Sequence, residues 1–218
     1  MTDVIRNRIR DAVFGTQDGL VSTLGALTGI AAGTQSQPTV VIAGFVIVAV
    51  ESLSMAAGSY LSSRSQRQYL ERLLEEEWQS IQQHPEQEHE ELLQMYRERG
   101  FTDEEIHIIA RRLFADKRWL LEDMAHKELG IAPNRLDEPL SNAVVMGICY
   151  VLGGSVPVIP YLIWPIPVAM PLSIAATAVG LFALGSAKGR LVNQPWWASG
   201  LEMLGIAGLA AGVGYAVG

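Results

Sequence analysis

Three acidic residues, Asp18, Glu51 and Glu202, lie inside or beside long apolar stretches of the sequence. Ionisable groups are costly within a bilayer, so each is a candidate functional residue. Glu51 lies four residues before Met55, which puts both side chains on one face of a helix. Two carboxylates and a thioether can bind a divalent cation such as Fe²⁺, and carboxylates can also carry protons. Asp18, Glu51 and Met55 are therefore predicted to form a transport path.

Each of these residues also has a structural interpretation. Asp18 could be a polar group at the membrane interface, Glu51 could hydrogen-bond a neighbouring helix, and Met55 alone would be ordinary packing. Glu202 lies soon after Trp196, so an interfacial role is as reasonable as a functional one. Counting the helical rise from each membrane face places Asp18 and Met55 at similar depth, with Glu51 nearer the bilayer centre.

A second set of candidate ligands lies in residues 65–138, where 18 acidic and 10 basic residues give a net charge of −8. Many of its acidic, histidine and methionine side chains recur three or four residues apart, so they share helix faces. Carboxylates on facing helices can collect several divalent ions, although a run of glutamates is commonly just a solvated helix face. The candidates are Glu75, Glu76, Glu77, His84, Glu88, Glu91, Glu122, Asp123, Met124, His126 and Glu128.

Two Glu-x-x-His patterns offer a different chemistry, Glu86 with His89 and Glu104 with His107. Di-iron helix bundles use two such patterns on separate helices, together with two further glutamates. The alternative function is therefore a membrane-anchored di-iron oxidase or iron-storage protein, although the predicted helices are short for such a bundle. The sequence has no nucleophile elbow and no phosphate-binding glycine loop. The leading hypothesis is accordingly a secondary transporter and not an enzyme.

The distribution of charge indicates which elements position these residues. Residues 19–50 and 139–187 contain no charged side chain, and residues 191–218 contain only Glu202. One transmembrane helix needs about 20 apolar residues. A polar turn divides the first run and a proline-rich segment divides the second, which gives five spans in total.

The predicted architecture is an all-α membrane protein with an acidic, cytoplasmic, metal-binding insertion between spans 2 and 3. Residues 1–64 are assigned to an interfacial helix and transmembrane helices 1 and 2. Residues 65–137 are assigned to the insertion, and residues 138–218 to transmembrane helices 3–5. The interfacial helix would contact membrane lipid.

Helical periodicity predicts three helices in the insertion, over about 65–83, 86–99 and 103–130. Thr102 and Glu105 have the spacing of a capping box, which predicts where the last of them begins. Span 1 has two groups of glycines spaced by four residues, Gly15 with Gly19 and Gly25 with Gly29 and Gly33. That spacing predicts a close contact between helices or between two copies of the chain. Glycine is also simply common in membrane helices.

Lysine and arginine side chains indicate the orientation. They precede span 1 and follow spans 2 and 4, whereas the turns on the opposite side have none. This places the N-terminus and the insertion in the cytoplasm and the C-terminus outside. The lack of a long targeting extension favours a bacterial plasma membrane, and the dense negative charge argues against nucleic acid as a partner.

Four stretches spread along most of the chain resemble the vacuolar iron transporter family, as a bacterial-type member. They are residues 10–20 (RDAVFGTQDGL), 52–61 (SLSMAAGSYL), 127–130 (KELG) and 150–161 (YVLGGSVPVIPY). The resemblance implies a homodimer of five-span protomers that exports cytosolic Fe²⁺, and often Mn²⁺, in exchange for protons. It also implies a cytoplasmic metal-binding domain and a path beside span 1 at the dimer interface. Co²⁺ and Zn²⁺ stay open as further metals.

The same resemblance assigns particular residues. The family's span-1 aspartate falls on Asp18 and its span-2 methionine on Met55. Its metal-domain ligands fall on Glu77, Glu88, Glu91, Met124 and Glu128. Three positions depart from the family pattern: a carboxylate falls on Ser80, a second methionine on Ala125, and a span-2 glutamate on Ile47, with Glu51 one turn closer to Met55. These departures leave open the number of bound ions and the role of Glu51.

Overall fold

The computed structural model describes residues 3–34, 36–130 and 136–217, and eight α-helices account for most of them. The helical fold class predicted from the sequence is confirmed over these residues. In chain order the helices are α1 (Asp3–Thr34), α2 (Gln37–Gln83), α3 (Pro85–Glu98), α4 (Asp103–Phe114), α5 (Lys117–Lys127), α6 (Pro139–Ile163), α7 (Ile166–Leu191) and α8 (Trp196–Val217).

Four of these helices, α2, α6, α7 and α8, are long and apolar enough to cross a membrane, with mean hydropathies from 1.5 to 2.2 over an apolar stretch of each. They correspond to four of the five predicted spans. The remaining predicted span lies in α1, where Asp18 and many glycine, serine and threonine residues lower the mean hydropathy. A fifth span and a cytoplasmic insertion stay predictions.

Two helix boundaries differ from the predictions. Residues 3–10 do not form a separate interfacial helix, because neither glycine nor proline interrupts α1 before Gly15. The helix predicted over 103–130 is divided into α4 and α5. Asp116 is the N-cap of α5, and its side chain accepts a hydrogen bond of 2.9 Å from the Arg118 backbone N–H. The insertion therefore contains four helical segments, the end of α2 followed by α3, α4 and α5, in place of the predicted three.

Contacts divide the chain into two compact units. The first contains Ile5–Ser62 and Pro139–Gly218, and its core includes residues of α1, α2, α6 and α7. The second is built mainly from Ser63–Glu138, with an apolar core of residues from α2 to α5. Along α3 a single stripe of Glu88, Leu92 and Tyr96 is buried. The periodicity that buries the two apolar side chains thus also holds the Glu88 carboxylate inside this unit.

The glycines of α1 allow close approach of two neighbouring helices of the same chain. A Cβ atom on Gly19 would overlap the carbonyl oxygen of Tyr150 in α6. A Cβ atom on Gly29 would lie 2.7 Å from the carbonyl oxygen of Gly214 in α8. The close helix contact predicted from the glycine spacing is therefore confirmed, and it is formed inside one chain.

We expect Gly19→Ala to destabilise the first unit. Its Cβ would overlap the Tyr150 backbone, which cannot rotate away as a side chain could, and overpacking typically costs about 1–3 kcal/mol. Gly58→Ala in α2 is the matched control, because a Cβ there meets nothing within 4 Å. Thermal unfolding of both variants in detergent measures the difference. Equal midpoints for Gly19→Ala and Gly58→Ala would contradict the expectation.

Candidate functional site

A contact between α1 and α2 fixes the relative level of the candidate path residues. The Ser59 hydroxyl donates a hydrogen bond of 3.1 Å to Oδ2 of Asp11. The two helices follow each other through a short turn and run in opposite directions, each rising about 1.5 Å per residue. A residue seven positions after Asp11 is therefore level with one seven positions before Ser59. This register places Asp18 level with Ser52, beside Glu51.

The carboxylates of Asp18 and Glu51 lie within electrostatic reach of each other. Asp18 is half-buried, whereas Glu51 is exposed on the surface of the single chain. Met55 is half-buried and lies about one turn nearer to Ser59 along α2. Glu51 is thus closer than Met55 to the level of Asp18. The sequence had instead placed Met55 at the depth of Asp18 and Glu51 nearer the bilayer centre. The depth count used approximate span ends, whereas the Asp11–Ser59 hydrogen bond gives the register directly.

The sequence did not single out two further polar residues, Tyr150 beside this site and Asp11 about two turns away from it along α1. Tyr150 of α6 is fully buried; its hydroxyl is 2.9 Å from Oγ of Ser22 and within electrostatic reach of Glu51 and Asp18. Asp11 is 3 % exposed. The available signals were the position of Asp11 two turns before Asp18 on the same helix face and the isolation of Tyr150 in an apolar run.

In the second unit, four glutamates form a carboxylate cluster: Glu77 of α2, Glu88 and Glu91 of α3, and Glu128, the C-cap of α5. Burial, followed by the negative charges of Glu128, Glu88 and Glu91, raises the pKa of Glu77 to about 7. Burial, followed by the charges of Glu91 and Glu88, also raises the pKa of Glu128. The fold therefore concentrates negative charge in a partly buried place.

Two carboxylate oxygens of this cluster, Oε1 of Glu77 and Oε2 of Glu88, are buried and have no hydrogen-bond partner in the part of the chain that the structure describes. The other Glu88 oxygen accepts a hydrogen bond from the Ser80 hydroxyl. Buried carboxylate oxygens are costly unless a proton or a cation compensates them. Ser80 thus supplies a hydroxyl contact at the position where the family resemblance implies a carboxylate.

Met124 lies one turn before Glu128 and is fully buried in the core of the second unit, next to the equally buried Ala125. Over residues 3–34, 36–130 and 136–217, no three His, Cys, Asp or Glu side chains are already arranged to hold a metal ion. Glu91, half-buried, and Glu128, exposed, are the members of the carboxylate cluster with most freedom to rotate.

The other acidic and histidine candidates have different surroundings. Asp123 forms an ion pair of 2.6 Å with Lys127 and accepts a 3.1 Å hydrogen bond from the Tyr96 hydroxyl. His84 is the exposed N-cap residue of α3, and His126 is exposed on α5. Asp123 thus has a structural partner that competes with any cation. Outside this unit, the exposed Glu202 lies 4.0 Å from Lys188.

The two Glu-x-x-His patterns do not form the inward-facing arrangement of a di-iron bundle. Glu86, Glu104 and His107 are exposed, and the ring of His89 contacts that of Phe114, with centroids 5.0 Å apart. Di-iron ligands project together into a bundle core. The geometry therefore argues against the oxidase alternative.

Comparison with known proteins agrees with the sequence resemblance. The family model described as the VIT family matches residues 9–218. Vacuolar iron transporter 1 of Arabidopsis thaliana is 30% identical over 210 residues, which cover 95% of this chain and 83% of the relative. The vacuolar iron transporter of Centaurea cyanus is 31% identical over 216 residues, covering 96% and 87%. The vacuolar iron transporter of Plasmodium falciparum is 25% identical over 219 residues, covering 95% and 80%.

Proposed function

The chain belongs to the VIT family, and from that premise we propose that it transports Fe²⁺, and also Mn²⁺, across a membrane in exchange for protons. The protein is in this proposal a secondary transporter without enzymatic activity. The metal is its substrate and not a resident cofactor. Co²⁺ and Zn²⁺, which accept similar ligands, are secondary candidates as substrates.

The proximity of Asp18 and Glu51 within the apolar first unit carries this proposal. Two neighbouring carboxylates in apolar surroundings repel each other unless a cation or a proton neutralises them. A divalent cation and protons therefore compete for the same pair, and alternate occupancy couples their movements. Met55, one turn away along α2, offers a thioether to a borderline-soft cation.

We propose that the carboxylate cluster of the second unit gathers the metal before transport. Its raised pKa values express the repulsion and burial that a bound cation would relieve. Met124 would complete the ligand set with a thioether after a change of rotamer. The remaining candidates are assigned no ligand role, because His84 and His126 are exposed and Asp123 is paired with Lys127.

The exposed position of Glu51 supports a homodimer. Its neighbours Val50 and Leu53 on α2 are 62% and 72% exposed, so Glu51 lies in an apolar surface. A carboxylate facing lipid there would be costly. A second copy of the chain that covers this face would enclose the Asp18–Glu51 pair from both sides, with lipid around the remaining apolar surface.

The orientation in the membrane stays a prediction. Lysine and arginine placement supports five spans with the N-terminus and the acidic unit in the cytoplasm and the C-terminus outside, so transport would be export from the cytoplasm. The relatives are named vacuolar iron transporters. A bacterial plasma membrane therefore has no support from them and rests on the sequence alone.

We expect purified protein in liposomes to move Fe²⁺ faster when a pH gradient drives protons in the direction opposite to the metal than when the pH is equal on both sides. The reason is that protons moving down their gradient displace the cation from the shared carboxylates. Fluorescent reporters of internal Fe²⁺ and internal pH measure both fluxes, with protein-free liposomes as the control. Equal rates with and without the gradient would indicate an uncoupled channel, and oxygen consumption on Fe²⁺ addition would indicate the di-iron alternative.

A further inference from the structure

A row of buried hydroxyl groups lies inside the first unit, where α1, α6 and α7 meet. Its members Thr23, Tyr150, Tyr161, Ser173 and Thr177 are all 0% exposed. Three helices of a mostly apolar unit thus direct hydroxyl-bearing side chains inward. Glu51, by contrast, is on the outer surface of the unit.

Three of these hydroxyls lack a well-formed hydrogen bond. Oγ1 of Thr23, Oγ1 of Thr177 and the hydroxyl of Tyr161 are buried without a partner among the protein groups that the structure describes. Thr23 nevertheless lies next to Tyr150, and Tyr161 lies next to Ser173. Leaving a buried polar group unpaired costs about 1–3 kcal/mol. Natural proteins usually satisfy such groups with ordered water.

The register of α1 and α6 brings Thr23 to the same level as a glycine pair of α6. The two helices run in parallel, because Gly15 packs against Met146 and Gly19 packs against Tyr150. Four residues farther along, a Cβ atom on Gly154 would lie 3.0 Å from Oγ1 of Thr23. The α6 backbone at Gly154 therefore lies directly against this hydroxyl.

The register of α7 brings Thr177 to that level as well. Gly180 of α7 packs against the Leu20 side chain of α1, and the two helices run in opposite directions. Thr177 is three residues before Gly180 on α7, and Thr23 is three residues after Leu20 on α1. Because the helices are antiparallel, these two threonines are level with each other. Both threonines are fully buried at this level, and neither hydroxyl has a partner among the described protein groups.

Towards the Tyr161 end, α6 supplies further polar groups. Ser173 donates a hydrogen bond of 2.8 Å to the carbonyl oxygen of Pro157. Pro157 has no N–H, so the carbonyl oxygen of Gly153, four residues earlier, loses its usual helical donor. Polar atoms are therefore spaced about every turn from Tyr161 to Tyr150. These residues are 11 positions apart in α6, or about 16 Å of helix.

We propose that this hydroxyl row, completed by Ser22, holds a file of water molecules that conducts protons between the Tyr161 end of the unit and the surroundings of Asp18. The inference rests on the proton coupling proposed above. A hydroxyl or a water both donates and accepts a hydrogen bond. Each oxygen can thus receive one proton and release another, with no net change along the file. Protons then move inside the protomer, while the cation moves along the outward face that bears Glu51.

Thr23→Val and Thr177→Val test this route, since each removes a hydroxyl and keeps the branched shape. We expect proton flux driven by a pH gradient, measured with Fe²⁺ present, to fall at least about tenfold in each variant. Isotopic Fe²⁺ exchange at equal pH, which needs no net proton movement, stays within twofold of the parent. Thr28→Val is the matched control, because Thr28 is equally buried on α1 but donates a 2.7 Å hydrogen bond to the Leu24 carbonyl oxygen.

Unchanged proton flux in both variants would overturn the proton route. So would an equal fall in proton flux and isotopic exchange, because that pattern indicates a structural role. If the parent shows no response to a pH gradient but exchanges Fe²⁺, the proposed coupling fails and the route fails with it. If the parent responds and the variants respond equally, only the route fails.

Radiolytic hydroxyl labelling of the whole protein in lipid nanodiscs tests the water file independently of transport. Buried side chains are labelled when bound water lies beside them, so we expect labelling of Tyr150 and Tyr161. Met203 is the control, because it is 2% exposed in an apolar cluster and its thioether is readily oxidised. Labelling of the two tyrosines below that of Met203 would overturn the file, whatever the transport result.

Discussion

We expect Asp18→Asn to reduce Fe²⁺ transport at least about thirtyfold, and Glu202→Gln to leave it within twofold of the parent. Removing one charged partner from a desolvated charge interaction costs about 2–5 kcal/mol, and about 1.4 kcal/mol is tenfold in an equilibrium constant. Asn preserves the size of the side chain, so the loss reports the charge. Glu202 is a fair control because it is also acidic and lies in the apolar helix α8, but is exposed beside Lys188.

Initial rates of Fe²⁺ uptake into liposomes, at equal amounts of reconstituted protein, measure this effect. Glu51→Gln is the companion variant, since Glu51 is the carboxylate within electrostatic reach of Asp18. We expect it to lose a similar factor, and the double variant to lose little more than either single one, because the two residues act on the same ion. Full transport by Asp18→Asn would refute the path assigned to this residue.

We expect the second large effect from Glu77→Gln, a weaker and less pH-dependent binding of divalent metal by the second unit. Carboxylates bind metal in the deprotonated form. Because the pKa of Glu77 is about 7, metal affinity of the parent falls by up to about tenfold per pH unit below pH 7 and levels off above it. Titration of the full-length protein with Mn²⁺ between pH 5.5 and 8.5 measures the slope. The same slope in Glu77→Gln would remove Glu77 from the site.

The same substitution, which should weaken metal binding, should stabilise the metal-free protein. The folded-state pKa of Glu77 is raised from 4.5 to about 7, so the folded state binds this proton more tightly than the unfolded state. The stabilisation of the fold by this bound proton is complete below pH 4.5 and is lost as the pH rises through 7. At pH 8 we therefore expect the unfolding free energy of Glu77→Gln to exceed that of the parent by up to about 3 kcal/mol, with a higher unfolding temperature. At pH 4.5 we expect little difference between the two proteins.

Glu90→Gln is the matched control for both measurements, because Glu90 is exposed on the same helix that carries Glu88 and Glu91. It should shift neither the Mn²⁺ affinity by more than about twofold nor the unfolding midpoint. Chelator present throughout the unfolding experiment keeps the comparison metal-free. A destabilised Glu77→Gln at pH 8 would contradict the burial and repulsion assigned to Glu77.

Local sequence patterns determined most of the helices. The capping box predicted at Thr102 is present, with the Thr102 hydroxyl accepting from the Glu105 backbone and the Glu105 carboxylate accepting from the Thr102 backbone. Four predicted spans have long apolar helices. These features depend on interactions within a few residues or on average hydrophobicity, so they can be read from the chain itself. Where local signals compete, as at Asp116, the prediction of one helix over 103–130 was wrong.

The composition of the candidate site was also visible in the sequence, but its arrangement was not. Spacing within one helix identified Glu88 with Glu91 and Glu51 with Met55 as neighbours. It could not show that the charge of Glu128 helps to raise the pKa of Glu77, because these residues belong to helices far apart in the chain. It also gave no reason to select Tyr150.

What the sequence determined by itself is therefore the kind of protein: helical, apolar in several long segments, and acidic in one insertion. Tertiary packing decided which side chains meet. The close approach of α1 and α6 at Gly19 brings Tyr150 to Ser22, and the antiparallel register of α1 and α2 brings Asp18 to Glu51. Such contacts depend on the relative translation and rotation of whole helices, which no periodicity within a single helix specifies.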